Sequence, residues 1–201
     1  MAHYFTNVED GKSNEKKFQV TVFERVFEFI TDIGVFSKGE LDEASRFLIE
    51  TADDLKLSGD LLDVGCGYGA VGLILASRKP EVEVHMIDIN NRALDLSKRN
   101  AALNSIQNIQ IYESNCYENV RRKFANIVSN PPIRAGKKVV HQILEEAIYH
   151  LEANGTLIIV IGKQHGAESA RKKMFEVFGN VERVARKKGF WILRSVLDEG
   201  R

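Results

Sequence analysis

Residues 61–72 read LLDVGCGYGAVG, and this stretch decides the fold. Two apolar residues and an acid lead into a glycine-rich turn, and a helix is predicted directly after it, from about Ala70 to Ser77. Glycines let backbone N–H groups approach a ligand closely, and the helix N-terminus adds partial positive charge. The turn fits both G-x-G-x-x-G and its G-x-G-x-x-A variant, which leaves open a dinucleotide, another nucleoside cofactor, or a tight turn with no ligand.

An acidic residue ends the next predicted strand. Residues 82–87 are mostly apolar, and Asp88 follows them. A carboxylate at the tip of this second strand can accept hydrogen bonds from both hydroxyls of a ribose, in either kind of nucleoside cofactor. The alternative is that Asp88 helps to cap the helix that begins at Asn90 or Asn91. Its place at the same edge of the sheet as the glycine turn favours the ribose.

The motif NPPI occupies residues 130–133, directly after the apolar run 124–129. The Asn130 side-chain oxygen and the Pro131 carbonyl are two acceptors at the carboxyl end of a strand, where open α/β sheets bind their ligands. An exocyclic amino group is a poor nucleophile because its lone pair is delocalised. Two acceptors could hold its hydrogens and turn the lone pair toward an electrophile, and proline adds no competing donor. The alternative is a plain turn at the end of a strand.

Strands and helices alternate along most of the chain, which predicts an α/β fold with a parallel sheet and helices on both faces. The predicted strands of this part lie near 60–64, 82–88, 109–113, 124–129 and 155–162, with helices that include 41–52 and 139–151. Two further strands, 180–185 and 190–196, are joined so tightly that they must be antiparallel. Alternation in 18–22 and 26–29 predicts an N-terminal β-hairpin.

Together these features resemble the class I S-adenosylmethionine-dependent methyltransferases, and more narrowly the small-domain group related to the ribosomal RNA guanine-N2 methyltransferase RsmC. The likeness runs from about residue 17 to 197. The motifs that carry the wider resemblance are DVGCGYG at 63–69, Asp88 and NPPI at 130–133. Those that carry the narrower one are TDIGVFSKG at 31–39, SNCYENV at 114–120, residues 130–136 and GKQHGA at 162–167.

The resemblance implies one methyltransferase domain over residues 1–201. Its expected fold is a Rossmann-like sheet of seven mostly parallel strands, with an antiparallel C-terminal hairpin and a small N-terminal β-hairpin extension. Residues from about 1 to 38 would form the N-terminal hairpin and a segment that covers the cofactor. Residues from about 39 to 201 would form the Rossmann-like core.

The resemblance also implies the site. S-adenosylmethionine is the implied cofactor. Asp63 and the glycine backbone would contact its methionine part, Asp88 its ribose and Asn115 its adenine. The expected cofactor-binding residues are Asp63, Gly65, Cys66, Gly67, Gly69, Asp88, Ile89, Asn115 and Phe36, the last in a loop over the pocket. The expected catalytic residues are Asn130, Pro131, Pro132 and Ile133. Asn130 and Pro131 would orient the target nitrogen for in-line attack on the sulfonium methyl, with no metal needed.

Three features depart from the family pattern. Ile133 stands where many amino-methyltransferases carry an aromatic residue that stacks on the target base. Asn115 stands where relatives often have an aspartate that contacts the adenine amino group, although an amide oxygen can accept the same bond. The long RsmC enzymes resemble two tandem copies of this fold, and 201 residues hold one.

Charge is distributed unevenly along a chain whose formal net charge is zero. Residues 1–120 hold 12 Lys and Arg against 20 Asp and Glu, whereas residues 121–201 hold 16 against 8. Some of this positive charge directly follows NPPI, at Arg134, Lys137 and Lys138. These three residues are the predicted RNA-binding residues, because a basic surface attracts a phosphate-rich partner. Solvated surface charge is the alternative.

The remaining sequence features place few further constraints. Cys66 and Cys116 make neither a disulfide framework nor a metal pattern, and no apolar stretch approaches membrane-spanning length. We therefore expect a cytoplasmic protein with no membrane or metal partner, as a monomer or a dimer. The predicted function is N-methylation of an exocyclic amino group in RNA, with guanine N2 of ribosomal RNA, alone or in a ribosomal subunit, as the favoured target.

Other functions stay open at this point. The same two acceptors could serve an adenine amino group or a protein glutamine amide. A catalytically silent RNA-binding module with the same fold is a further alternative, although it has no need for both Asp88 and the NPPI motif. A dehydrogenase could use the glycine turn but would have no use for NPPI.

Overall fold

The computed structural model describes residues 13–32, 35 and 39–199, without the side chain of Arg134. The strands are β1 (Lys16–Val22), β2 (Arg25–Thr31), β3 (Leu61–Val64), β4 (Val84–Asp88), β5 (Ile109–Glu113), β6 (Phe124–Ser129), β7 (Leu151–Gly162), β8 (Glu182–Lys187) and β9 (Phe190–Val196). The α-helices are α1 (Glu43–Asp54), α2 (Ala70–Arg78), α3 (Asn91–Leu103), α4 (Lys137–His150) and α5 (Ala167–Phe178). Short 3₁₀ turns, Ile133–Ala135 and Lys163–His165, follow β6 and β7.

Strands β3 to β9 form one sheet of seven strands in the order β5-β4-β3-β6-β7-β9-β8. Neighbours from β5 to β7 are parallel, and β9 is antiparallel to both β7 and β8. This confirms the predicted sheet and its C-terminal hairpin, and the paired β1 and β2 confirm the N-terminal hairpin. The helix predicted to reach Leu151 ends one residue earlier, because Leu151 is already paired with Phe124 across β6 and β7.

The core has two layers, one on each face of the sheet. Helices α1, α2 and α3 and the N-terminal hairpin cover one face, and α4 and α5 cover the other. Side chains alternate along a strand, so neighbouring residues serve opposite layers. In β6, for example, Ile127 packs toward α4 and α5 while Val128 packs toward α1 and α2, and both are fully buried. The central strands are apolar on both faces for this reason.

Helix boundaries follow local capping rules. The side chain of Asp42 accepts the backbone N–H of Ser45 at 2.9 Å and caps α1. Asn90 caps α3 in the same way. Helix α5 ends at Gly179, whose φ of 73° suits glycine and whose N–H donates to the Phe175 carbonyl at 2.8 Å.

Two asparagines on α3 attach the N-terminal hairpin to the core. Asn100 accepts the N–H of Ile30 at 2.8 Å and donates to its carbonyl at 2.9 Å, as a neighbouring strand would. One turn later, Asn104 makes the corresponding pair of bonds with Glu28. Asn100 also donates to the carbonyl of Tyr68 in the glycine turn at 2.8 Å. The hairpin is thereby tied to the segment that the sequence motifs associate with the cofactor.

Across the described ranges, no helix is long and apolar enough to cross a bilayer. The same residues contain no group of three or more His, Cys, Asp or Glu side chains arranged to hold a metal ion.

Candidate functional site

The carboxyl ends of three adjacent strands meet at one edge of the sheet. Ser129, at the end of β6, donates through its hydroxyl to the carbonyl of Val64 at the end of β3, at 2.7 Å. The N–H groups of Gly65 and Cys66 donate to the carbonyl of Ile87 in β4, at 2.8 and 2.9 Å. The glycine turn, the acid at the end of β4 and the NPPI motif are thus brought together, as the parallel sheet predicts.

The glycine turn needs its glycines for two different reasons. Gly69 caps α2 with a φ of 97°, a left-handed conformation that favours glycine. Gly72 has no such conformation, but a Cβ there would lie 2.7 Å from Cγ of Met86, so its absence lets α2 pack closely on β4. Gly65 and Gly67 also have positive φ. The turn therefore brings backbone N–H groups to the start of α2, a suitable place for a ligand.

Asp63 lies beneath the turn and is almost completely buried. One carboxylate oxygen, Oδ2, accepts the N–H of Gly72 at 2.9 Å. Burial raises the pKa of Asp63 to about 7, although the hydrogen bond from Gly72 acts in the opposite direction and Asp88 adds to the rise. A buried carboxylate in this state is well suited to a cationic ligand, since a positive neighbour favours the ionised form.

Asp88 lies at the end of β4 and is also buried. Its two carboxylate oxygens accept the N–H of Gly67 and the N–H of Asn90, each at 2.9 Å. Burial raises the pKa of this carboxyl, and these hydrogen bonds act against the rise. The N-cap of α3 is Asn90, so Asp88 supports the turn before the helix without capping it. A third backbone hydrogen bond, from Ile89, also reaches this carboxylate, and the acceptor capacity that remains is available to a ligand.

The other expected cofactor residues differ in how far they are buried. Asn115 is exposed and directly follows Ser114, whose N–H donates to the Asp88 carbonyl at 3.0 Å. Ile89 is half-buried. Cys66 is buried within the turn, and burial raises the pKa of its thiol. Phe36 lies outside the described residues.

Asn130 is half-buried, and its carboxamide is held by the N-terminal turn of α1. Its Nδ2 donates to the hydroxyl of Ser45 at 3.1 Å and lies 3.5 Å from Oδ1 of Asp42. Neither partner was identified from the sequence motifs. Asp42 could have been recognised as an N-cap, but nothing local links it to a residue 88 positions further along the chain.

The rest of the NPPI motif lies between the glycine turn and α4. Pro131 is buried, and Cδ of Pro132 would lie 3.9 Å from a Cβ placed on Gly65. Ile133 is half-buried and packs against the core layer under α4. The carbonyl of Pro132 accepts the N–H of Ala135 at 2.9 Å, whereas no described residue donates a backbone N–H to the carbonyl of Pro131.

Several basic residues of the C-terminal half form ion pairs with acids. The ion pairs join Arg122 to Asp60 and Glu83, Arg171 to Glu168, Lys172 to Glu176, Lys173 to Glu145 and Glu176, Lys187 to Glu50, Lys188 to Glu43, and Arg194 to Glu182. Others form no ion pair in the described part of the chain, among them the exposed Lys137 and Lys138 at the start of α4 and the exposed Arg121, Lys123 and Arg186. Arg134 lies in the 3₁₀ turn just before α4.

The sequence of this chain matches one protein family and several known proteins. The family profile of the methyltransferase small domain matches residues 26–194. The uncharacterized protein YbxB of Bacillus subtilis is 47% identical over 195 residues, which cover 96% of this chain and 97% of that protein. Ribosomal RNA small subunit methyltransferase C of Aeromonas hydrophila is 42% identical over 131 residues, 63% of this chain and 37% of that protein. The chain thus aligns with little more than a third of that methyltransferase.

Solved structures share the fold. The Thermus thermophilus 16S rRNA N2 G1207 methyltransferase, RsmC, in complex with AdoMet and guanosine superimposes with a TM-score of 0.82 at 23% identity, over 90% of this chain and 50% of that one. The ribosomal protein L11 methylase of Lactobacillus delbrueckii subsp. bulgaricus superimposes with a TM-score of 0.67 at 20% identity, over 84% of each chain. At these identities, the likeness shows a shared fold.

Proposed function

The chain belongs to the methyltransferase small domain family, and we propose that it is an S-adenosylmethionine-dependent N-methyltransferase acting on an exocyclic amino group in RNA. The favoured target is guanine N2 of ribosomal RNA. The proposal rests on three features of the site: a turn suited to the cofactor, two acceptors suited to an amino group, and exposed positive charge beside them.

The chemistry of the turn fits S-adenosylmethionine, which supplies an electrophilic methyl group on a sulfonium. The buried Asp63 carboxylate binds the amino group of the methionine part. The positive charge of that group stabilises the ionised carboxylate, which burial alone disfavours. Asp88 accepts from the ribose hydroxyls with the acceptor capacity that its three backbone hydrogen bonds leave. Asn115, exposed beside Asp88, offers its amide oxygen to the adenine amino group. Cys66, Ile89 and Phe36 complete the proposed contacts.

The observation that carries the amino-group assignment is the orientation of Asn130. Its NH₂ group is engaged with α1, so the Oδ1 atom is left to accept a hydrogen from a ligand. The Pro131 carbonyl is the second acceptor. The closeness of Pro132 to Gly65 brings both acceptors beside the turn that binds the cofactor. Together they hold the target nitrogen in line with the methyl group, and such positioning accounts for much of the rate acceleration.

Two observations support RNA as the substrate. Matching relatives carry the name ribosomal RNA small subunit methyltransferase C. Lys137 and Lys138 are exposed shortly after the NPPI motif, where positive charge can bind phosphates. It follows that a base must leave its stack to reach Asn130, so the substrate is single-stranded or transiently opened RNA. Ile133 provides an apolar contact for the base in place of an aromatic stack.

One experiment tests the function directly. The purified protein is incubated with labelled S-adenosylmethionine and with naked ribosomal RNA or ribosomal subunits from a strain that lacks it, and the label is mapped to a nucleotide. Label on guanine N2 is the expected result. Label on an adenine amino group or on a protein glutamine would redirect the assignment, and absence of transfer to any of these substrates would contradict it.

A further inference from the structure

The N-terminal turn of α1 and the NPPI motif share one hydrogen-bonded contact. Ser45 is buried, and its hydroxyl accepts a hydrogen from Nδ2 of Asn130 at 3.1 Å. Asp42 places Oδ1 3.5 Å from the same nitrogen. That Oδ1 atom also caps α1 through the N–H of Ser45. The orientation of Asn130 is therefore tied to the start of a helix that is distant in sequence.

Asp42 decides which way the carboxamide faces, because the Ser45 hydroxyl can either donate or accept a hydrogen bond. The oxygen and the NH₂ group of an amide are similar in size, so either could point toward α1 on steric grounds alone. A carboxylate oxygen accepts hydrogen bonds and cannot give one, so the Asn130 oxygen would be repelled by Asp42, whereas the NH₂ group is attracted. With its NH₂ group facing α1, Asn130 directs Oδ1 the other way, toward the ligand site.

We propose that Ser45 and Asp42 are positioning residues that keep the oxygen of Asn130, and not its NH₂ group, facing the target amino group. This inference rests on the proposed function. A reversed carboxamide would present a donor to another donor, and no hydrogen bond could form. The bond to Ser45 also polarises the amide and makes Oδ1 a stronger acceptor, because linked hydrogen bonds strengthen one another.

A purely structural role can be separated from this one, because the cap and the contact use different atoms of Ser45. The cap uses the backbone N–H, which Ser45→Ala retains, and alanine is the best helix former. Thr51 provides a matched control in the same helix. It is buried, and its hydroxyl donates to the Phe47 carbonyl without contacting Asn130. Thr51→Val removes that hydroxyl at constant shape.

The first measurement is independent of activity. The side-chain amide of Asn130 is assigned in a ¹⁵N–¹H spectrum by its loss in Asn130→Ala. In Ser45→Ala, we expect its two proton signals to shift and to exchange faster with water, because the NH₂ group has lost its partner. In Thr51→Val they should stay in place. Asn130 signals that are unchanged in Ser45→Ala would overturn the proposal.

The second measurement is single-turnover and steady-state methylation of the mapped RNA. Ser45→Ala should lower kcat by about tenfold, the scale of one hydrogen bond, and leave KM and cofactor affinity within about twofold. Asp42→Asn keeps a capping oxygen but removes the charge that sets the orientation, and it should lower kcat by at least as much. The double variant Ser45→Ala/Asn130→Ala should be no slower than Asn130→Ala, since Ser45 acts through Asn130.

The outcomes distinguish this inference from the proposed function. If the two losses multiply in the double variant, Ser45 acts independently of Asn130 and the inference fails. It also fails if Ser45→Ala keeps the wild-type kcat while Asn130→Ala does not, and in that case the proposed function stands. If Asn130→Ala itself methylates at the wild-type rate, the proposed amino-group chemistry fails.

Discussion

Substituting Asp63 with asparagine changes the stability of the ligand-free protein in a pH-dependent way. Burial raises the pKa of this carboxyl to about 7, whereas its ordinary value, which applies to the unfolded chain, is 3.8. Between about pH 4 and pH 7, the folded chain therefore holds a proton that the unfolded chain has released. The free energy of unfolding of the wild type falls as the pH rises through that window, and it levels off above about pH 7.

The magnitude follows from the size of the pKa displacement. A difference of about three units corresponds to on the order of 4 kcal/mol, and the slope reaches about 1.4 kcal/mol per pH unit inside the window. The asparagine of the variant would still offer an oxygen to the N–H of Gly72, but it has no proton to release. The stability of Asp63→Asn relative to the wild type should therefore rise from pH 4 to pH 7 and stay constant above that.

Urea denaturation of the ligand-free protein at about pH 5, 6, 7 and 8 measures this difference. Asp95→Asn is the matched control, because Asp95 is exposed on α3. A difference between Asp63→Asn and the wild type that stays flat over this range would refute the reasoning. Calorimetry measures cofactor binding by the same two proteins. The S-adenosylmethionine affinity of the wild type should fall about tenfold for each pH unit below about pH 7, whereas Asp63→Asn should bind weakly at every pH.

Three further predictions concern the rest of the site. Asp88→Ala should weaken S-adenosylmethionine binding by about 1.5–3 kcal/mol, the scale of hydrogen bonds to a charged group, and calorimetry showing unchanged affinity would remove Asp88 from the cofactor site. Asn130→Ala should lower kcat about 10²-fold in single-turnover methylation while cofactor affinity stays within a few-fold, and Asn130→Asp, which keeps an acceptor, should retain some activity. Neutralising Arg134, Lys137 and Lys138 together should weaken RNA binding and flatten its dependence on salt, with cofactor affinity as the control; an unchanged salt slope would make them ordinary surface charges.

The elements that the sequence predicts well are those with a local cause. The strands β5 and β6 begin and end at the predicted residues, because their apolar runs are bounded by turn-forming or polar residues. The antiparallel hairpin of β8 and β9 was predictable because so short a link allows no other pairing. The helix predicted to include Leu151 was wrong by one residue, since an apolar residue at that spacing fits both a helix stripe and a buried strand.

Long-range polar contacts could not be predicted from sequence motifs. Each of Asn100 and Asn104 bonds to both backbone groups of a residue in β2, but no pattern in the sequence distinguishes them from other helical asparagines. Lys187 and Lys188 belong to the excess of positive charge in residues 121–201, yet both are paired with acids of α1. A charge pattern along the chain cannot reveal which opposite charge the fold will bring beside it.

The sequence by itself determined the alternation of strands and helices, the glycine turn and which residues follow the strand ends, because strand period and turn chemistry act over short stretches of chain. Only the tertiary structure decided which way Asn130 faces. Its carboxamide has one acceptor and one donor group, and the choice between them depends on Asp42 and Ser45, which lie 88 and 85 residues earlier in the chain. Packing α1 against the sheet places their charge and hydroxyl beside Asn130, and that juxtaposition exists only in the folded chain.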